Sequence, residues 1–528
     1  MSARALPAER LVASWAERAG DRLAGRVDAA WTWLESAWAG SLAGKTARRL
    51  VILGREVASV STLAGWATRV WTLVLPPCSP LRWQTWLGIG LGTAALLPTE
   101  VPLGLLFLLL PFWLRDRVRE RLRDRPARGG ADLQGAGAGS GGLPLGAVTG
   151  RGLPPWVLVS FFAFLAMVAG AVPGSVRARD SLVEFVFWVG YALVFLLAAD
   201  AALRGRGEEV VWPLLALASL AGVVGIWQYV SGWTPPQSWV DPRFEGEITR
   251  VVGTFTNPTF FAEMMGLALP VTVALAVARR PWRERMVLGG FALLQAGGML
   301  LSFSRGGWLG LAISLAVLTV LYDRRLLVLG IVLVLAAPHV LPPVLVERFA
   351  SSFSLEDTSN SYRVFIWRGS WALARAYLWT GTGLGADSFV YTYPEYMIIQ
   401  TPAPHAHSTF LEMLVELGVP GLAALLWFLL MWAWEVGKGV RRFTATTALG
   451  AGILATVAGH LLHGLVEFTW YSPRITLVFW ALLGLALGAA RCTPARGAAA
   501  ATGAYDRDRM VAVVRGSRPG RVRGSRPG

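Results

Sequence analysis

Cysteine, histidine and charged residues are all scarce in this chain. Among 528 residues there are two cysteines, Cys78 and Cys492, which is too few for a disulfide framework. Charged residues account for 16% of the sequence, whereas roughly 25% is usual in soluble domains. Residues 1–50 contain acidic side chains and no long apolar run, a pattern that does not predict a cleavable signal peptide. An ordinary soluble domain and a disulfide-stabilised secreted domain are both excluded.

Apolar residues are abundant instead, and they occur in long runs. Hydrophobic residues make up 54% of the chain, which also contains 25 tryptophans. Runs of this kind are typical of membrane-spanning helices, and Trp is enriched where such helices meet the membrane interface. We therefore predict an all-α, polytopic membrane protein with about 12 transmembrane helices.

The net charge of +16 is explained by topology. The basic residues lie in short segments between apolar runs and in the C-terminal tail, as the positive-inside rule requires of cytoplasmic segments. We therefore predict no nucleic-acid partner. This charge placement puts both termini in the cytoplasm and one large loop, 346–406, outside the membrane between late helices.

The same patterns divide the chain into five predicted parts. These are amphipathic helices on the membrane surface or in the cytoplasm (1–83), a short transmembrane pair (84–114), a basic and Gly-rich cytoplasmic linker (115–152), the main transmembrane domain (153–490), and a basic, disordered tail (491–528).

Two of the five histidines, His405 and His407, precede an apolar run. Thr409 and Glu412 have the spacing of a capping box, which predicts that a helix begins there. The positive end of a helix dipole attracts phosphate and disfavours a protonated imidazole, so His407 is a candidate general base. Two alternatives stay open. The histidines are interfacial polar residues, or they bind zinc with Glu412, although no further ligand lies nearby in the sequence.

Three arginines, Arg250, Arg305 and Arg363, lie at predicted external boundaries of apolar runs. Arginine at this side of a membrane opposes the usual charge bias, so each one predicts an anionic partner. Arg305 lies in a predicted turn between two apolar runs, where an ionisable residue is costly. The alternative is that these side chains extend to lipid phosphates.

His460, His463 and Glu467 follow one another at helical spacing near the end of a predicted span. This spacing places them on one helix face, and polar groups at such positions usually face the interior of the bundle. They are candidates for a proton relay or for structural hydrogen bonds, and the sequence does not distinguish the two.

Three motifs resemble the O-antigen ligase and O-antigen polymerase superfamily of bacterial membrane glycosyltransferases, over roughly residues 150–490. They are GTFTNPTFFAEMMGLALP, LSFSRGGWLGL, and a histidine motif in which His407 and Ser408 are followed by nine residues, Gly418, two residues and Gly421. Two departures occur: Thr259 stands where the family usually has Asn, and Glu467 stands where it has Asp.

The resemblance implies a fold like that of the GT-C glycosyltransferases and transfer of a glycan from undecaprenyl pyrophosphate to an acceptor hydroxyl. It implies that His407 is the base, that Arg305, Arg363 and Arg250 bind the pyrophosphate, and that no metal or other cofactor takes part. The residues expected to support the site are His405, Glu412, His463 and Glu467.

The resemblance further implies a bacterial cytoplasmic membrane location with the active site on the external, periplasmic face. The acceptor, which is a glycan, lipid or protein hydroxyl, is not specified. Two other functions stay open: a transporter of a small anion such as bicarbonate, and a scaffold that binds glycolipid. Clustering of the histidines and arginines on one side favours the enzyme, because a transporter needs charged features near the midplane.

Overall fold

The computed structural model describes residues 74–75, 82–98, 100–123, 152–233, 250–340, 346, 358–441 and 443–491. Within these ranges the secondary structure is helical and no strand occurs, which confirms the predicted all-α class. The helices are α1 Trp83–Thr93, α2 Glu100–Arg123, α3 Pro155–Ala171, α4 Ala178–Leu203, α5 Gly207–Val230, α6 Pro258–Val277, α7 Trp282–Leu301, α8 Arg305–Asp323, α9 Leu326–Val340, α10 Thr358–Ala376, α11 Ala386–Thr392, α12 Thr409–Gly439, α13 Ala448–His463 and α14 Pro473–Arg491.

The predicted membrane spans are recovered in part. Six of the described helices are long and apolar enough to cross a bilayer, namely α4, α5, α6, α8, α12 and α14. Pro102–Leu114, Pro155–Ala171 and Ala448–His463 are apolar but shorter. The chain therefore has the helices of a membrane protein, and the count of about 12 spans stays a prediction.

Helix α14 packs along α4, and α13 packs between α6 and α8. The contact of α8 with α13 is close because glycines face each other. A Cβ atom at Gly459 would lie 2.2 Å from the carbonyl oxygen of Gly310. Small residues at such crossings let two helix backbones approach within van der Waals distance. This contact fixes the start of α8 against the end of α13, where the predicted site residues lie.

The segments predicted to lie outside the membrane contact one another at one end of the bundle. Val176 N donates to Thr382 O at 3.0 Å, and Val251 N donates to Leu301 O at 3.2 Å. Thr409 N donates to Gly464 O at 2.7 Å. Segments far apart in the sequence are thus in direct contact in the folded chain.

Helix α12 is broken at Gly418, whose φ of 65° and ψ of −174° are not helical. Gly tolerates this φ, whereas a side chain would be strained. The carbonyls of Val415 and Glu416 accept hydrogen bonds from Thr382 N and Gly383 N. The break therefore divides α12 into a first part, which packs on the loop region, and a longer second part.

Several predicted boundaries change or lie outside the described residues. The predicted external loop contains two helices, α10 and α11. Helix α2 continues to Arg123, into the segment predicted as a linker. Most of the predicted N-terminal amphipathic region, residues 124–151 of the linker, and the tail after Arg491 lie outside the described residues.

Candidate functional site

The centre of the candidate site is a contact between His407 and Glu467, which are 60 residues apart in the sequence. The Nδ1 atom of His407 lies 2.9 Å from Oε1 of Glu467. The second oxygen, Oε2, accepts a hydrogen bond from Nη2 of Arg363 on α10 at 2.6 Å. The structure thus brings the predicted base, one predicted pyrophosphate ligand and one supporting residue into a single chain of contacts.

The environment of Glu467 keeps its carboxylate ionised. Burial alone would raise the pKa of Glu467, but the charge of Arg363 and the hydrogen bond from His407 outweigh it and hold the pKa well below its usual range. An ionised carboxylate only accepts hydrogen bonds, so Nδ1 of His407 carries the shared proton. In the neutral ring the lone pair is then on Nε2, which has no hydrogen-bond partner among the described residues.

The cap of α12 differs from the predicted capping box. Ser408 is the N-cap, and its hydroxyl accepts a hydrogen bond from Leu411 N at 3.4 Å. Thr409 instead donates its hydroxyl proton to Glu467 O at 3.1 Å. The carboxylate of Glu412 accepts from Ala406 N, one turn further back than predicted. The helix start was placed correctly, but tertiary contacts decided which hydroxyl caps it.

His407 has an unusual backbone conformation, with a φ of 47°. This left-handed region is uncommon for residues other than glycine, although His and Asn are enriched in it. Two hydrogen bonds support it. The Nε1 atom of Trp367 donates to His407 O at 3.1 Å, and His407 N donates to Nδ1 of His405 at 3.2 Å. Strain of this kind persists only where the surroundings determine the geometry.

His405 is a neutral support beside His407. The centroids of the two rings are 4.3 Å apart. Burial, followed by the charge of His407, lowers the pKa of His405 from 6.5 to about 3. The ring also packs on Phe468 and Tyr471, with centroid distances of 5.5 Å and 4.8 Å. His405 therefore holds the backbone of His407 without taking up a proton near neutral pH.

Arg305 and Arg250 lie at the same end of the bundle. Arg305 is the first residue of α8, not part of a turn as predicted, and Ser304 is the N-cap. The next residue, Gly306, packs against the ring of His463, because a Cβ atom there would lie 2.2 Å from Nε2 of that histidine. The Nε atom of Arg250 donates to Ser302 O at 3.3 Å.

His463 belongs to a second, buried cluster with His460 and Glu263. The two histidines contact the carboxylate of Glu263 through their Nδ1 atoms, at 2.7 Å for His460. The indole N–H of Trp470 donates to Nε2 of His460 at 3.2 Å. Because an indole nitrogen only donates, this Nε2 carries a lone pair and His460 is the neutral tautomer that donates from Nδ1. The sequence left open a proton relay or structural hydrogen bonds, and these contacts favour structural hydrogen bonds for His460.

His405, His407 and Glu467 also satisfy the geometry of a cation site. Within the described part of the chain they are a group of three potential ligands whose donor atoms lie within 4.8 Å of one another. Two imidazoles and a carboxylate are a donor set that suits zinc. In the zinc site considered from the sequence, the third ligand would therefore be Glu467 and not Glu412.

Sequence reasoning missed Glu263 and Trp367. Glu263 lies in an apolar segment directly after the Asn-Pro element, and a lone acidic residue in a predicted span is itself a signal. The Asn-Pro element begins α6 as expected, since Asn257 Oδ1 accepts from Thr259 N at 2.7 Å. Trp367 had only the helical spacing of the nearby Trp and Tyr residues as a signal, because its contact with His407 depends on the fold.

Residues 290–426 match the family described as O-antigen ligase. This match confirms the predicted resemblance to the O-antigen ligase and polymerase superfamily, and with the candidate spans it supports a membrane glycosyltransferase. It includes Arg305, Arg363, His407 and both motif glycines, whereas Glu467 lies beyond it. No curated protein matches the chain. The match gives no support to the anion-transport alternative.

Proposed function

We propose that this protein transfers a glycan from undecaprenyl pyrophosphate to an acceptor hydroxyl, with His407 as the general base. The observation that carries the proposal is the hydrogen bond of His407 Nδ1 to Glu467 at 2.9 Å. It orients the ring, leaves the lone pair on Nε2, and places a carboxylate where it stabilises the imidazolium formed when a proton is accepted. The His407 side chain is 24% exposed, so a substrate hydroxyl can reach it.

The proposed reaction is a single displacement. The acceptor hydroxyl gives its proton to Nε2 of His407, and its oxygen attacks the anomeric carbon of the donor sugar. The bond from that carbon to the phosphate oxygen breaks, and undecaprenyl pyrophosphate leaves with the electron pair. Attack opposite the leaving group inverts the anomeric configuration. Arg363, Arg305 and Arg250 offset the charge that develops on the leaving pyrophosphate.

We further propose that transfer needs no metal ion. Glu467 already pairs with the guanidinium of Arg363 at 2.6 Å, so a cation bound by His405, His407 and Glu467 would lie close to a fixed positive charge. We also propose that this end of the bundle faces the periplasm and that both termini lie in the cytoplasm, because the basic residues occur in the segments predicted as cytoplasmic.

The test is transfer by the purified protein in proteoliposomes that contain a labelled undecaprenyl-pyrophosphate glycan from the native host and a host membrane extract as acceptor. We expect a labelled conjugate or a longer glycan, with released carrier, and the same rate after treatment with EDTA. Arg305→Ala should lower the rate, whereas Arg324→Ala, at the opposite end of α8, should not. Loss of transfer in EDTA would contradict the metal-independent mechanism, and equal rates for the two variants would contradict the role of Arg305.

A further inference from the structure

A cavity of about 390 Å³ lies beside the histidine site. Its walls come from α4, from the segment around Leu384, from the first part of α12 and from the residues before α14. Phe468 and Tyr471 belong to this wall and also pack on the ring of His405, at 5.5 Å and 4.8 Å. The cavity therefore shares a wall with the candidate active site, and its volume is within the usual range for a small-molecule site.

One side of the cavity is aromatic. Trp188, Tyr191 and Trp470 line it, and the ring centroid of Trp188 lies 5.6 Å from that of Tyr191 and 6.2 Å from that of Trp470. Trp188 is only 4% exposed, and its indole N–H has no hydrogen-bond partner among the described residues. A ligand that offers a hydroxyl oxygen and an apolar ring face would satisfy this wall.

The same lining is also acidic. Asp180, Glu184, Asp387 and Glu416 belong to it, and the lining contains no Lys, Arg or His. Asp180 pairs with Arg177 at 2.7 Å, and the charge of Arg177 also acts on Asp387. Glu184 and Glu416 are the two lining carboxyl groups without a cationic partner among the described residues. The lining carboxyl groups do not form a cation site, because no three of these described residues bring their ligand atoms within 4.8 Å of one another.

We propose that this cavity binds a sugar unit of the acceptor and that it selects a neutral or amine-bearing sugar over one that carries phosphate or carboxylate. A carboxyl group can form hydrogen bonds with hydroxyl groups in either protonation state, whereas an ionised carboxylate repels an anionic substituent. The assignment to the acceptor rests on the proposed function, but the binding preference does not.

The distribution of charge predicts separate binding regions for the donor and the acceptor. The cationic residues Arg363, Arg305 and Arg250 belong to the histidine side, and the carboxyl groups belong to the cavity. A pyrophosphate group is thus attracted to the first region and repelled from the second. Repulsion of the wrong partner is a common source of specificity, and here it keeps the donor out of the acceptor cavity.

The test is sugar binding to the full-length protein in nanodiscs, measured by saturation-transfer NMR. The probes are glucose, glucosamine and glucose 6-phosphate, and each dissociation constant is obtained by titration. We expect glucose and glucosamine to bind, and glucose 6-phosphate to bind at least ~10-fold more weakly. The double variant Glu184→Gln/Asp387→Asn should reduce this difference to about twofold or less. Glu395→Gln, an acidic residue of the same region outside the lining, should leave it unchanged.

Two further variants separate this proposal from its alternatives. Trp188→Phe keeps the ring and removes the N–H, so it should weaken binding of all three sugars. His407→Ala should bind sugars like the wild-type protein. Normal sugar binding without any transfer activity would contradict the proposed function and leave the cavity assignment standing. Absence of binding to folded protein, or equal affinity for glucose and glucose 6-phosphate, would overturn the cavity assignment.

Discussion

Two clusters at the same end of the bundle pair a glutamate with histidine, and they differ in access and in their third partner. In the first, Glu467 contacts His407 and Arg363, and the His407 side chain is 24% exposed. In the second, Glu263 contacts His460 and His463, and each histidine side chain is only 3% exposed. In the first cluster, the Nε2 of His407 has no hydrogen-bond partner among the described residues. In the second, Trp470 and Thr469 occupy the Nε2 of His460.

A carboxylate beside an imidazole is therefore not enough to identify a base. A general base needs a free lone pair within reach of the substrate. The His407 cluster meets this requirement, whereas His460 uses both ring nitrogens to hold α13 to its neighbours. A buried network that is fully hydrogen-bonded mainly stabilises one packing arrangement. Variants of the two clusters should distinguish a catalytic role for His407 from a structural role for His460.

The largest effect is expected for His407→Asn. Asn tolerates the left-handed φ of 47° found at this position, so the variant should fold while it loses the base. We expect the transfer rate in proteoliposomes to fall by about 100 to 10,000-fold. His339→Asn, which changes an exposed histidine at the end of α9, is the matched control and should retain the wild-type rate. A variant rate near wild type would place the base elsewhere.

Glu467→Gln should lower the rate by roughly 100-fold without unfolding the protein. The amide cannot stabilise the imidazolium of His407, and it leaves Arg363 without its anionic partner. The rate should be measured with the melting temperature of the same sample. Glu467→Asp keeps a carboxylate and should therefore retain more of the rate than Glu467→Gln. If Glu467→Asp is no better than Glu467→Gln, the carboxylate does not act on His407.

Glu263→Gln should show the opposite result to Glu467→Gln. The protein should lose stability clearly, while the transfer rate per folded molecule should change little. A glutamine side chain has one acceptor oxygen, so one of the contacts to His460 and His463 is lost inside the bundle. A buried polar group without its partner costs about 1 to 3 kcal/mol. Thermal unfolding in detergent measures the stability, and transfer below the melting temperature measures the rate. Loss of transfer by fully folded Glu263→Gln would make this cluster part of the chemistry.

A change of pH should have the smallest effect. It should change the stability of the protein through the protonation of His405. The pKa of this histidine is about 3 in the folded protein and 6.5 ordinarily. Between these values the unfolded chain binds more protons, so stability is full above pH 6.5 and is lost as the pH falls towards 3. Glu467, whose folded pKa is also lowered, adds a loss of the same sign below about pH 4.5. The contribution of His405 to the melting temperature should therefore decline on acidification, and the difference between wild type and His405→Asn measures it.

His405→Asn should flatten the decline between pH 6.5 and 5, because the titrating ring is gone. His339→Asn should keep the wild-type profile. An unchanged slope in His405→Asn would mean that another group dominates the acid response.

The helices were the most predictable feature because their signals are local. The main transmembrane domain was predicted to end at residue 490, and its last helix is observed at Pro473–Arg491, since an apolar run, a proline at its start and an arginine at its end lie within one segment. The cap of α12 was less predictable, because Thr409 and Ser408 are both good capping residues. The contact of Thr409 with Glu467, 58 residues away, decided between them.

The candidate site was predictable only in its separate parts. His407, Arg305, Arg363 and the two motif glycines carry their own sequence signals, and their side chains or backbones lie at one end of the bundle. Their partners do not carry such signals. Nothing local indicates that Glu467 faces His407, or that Glu263 accepts from two histidines roughly 200 residues away, because these contacts form only when the helices pack.

The helical class, the membrane character and the motif that contains His407 could be recognised from the sequence alone, because hydrophobic runs and short spacings act within a few turns of chain. Only the tertiary structure decided which carboxylate supports which histidine, and which histidine keeps a free nitrogen. These outcomes depend on the packing of α6, α8, α10, α12 and α13 at one end of the bundle. Side chains separated by tens to hundreds of residues meet there, and their access to solvent is a property of the assembled helices.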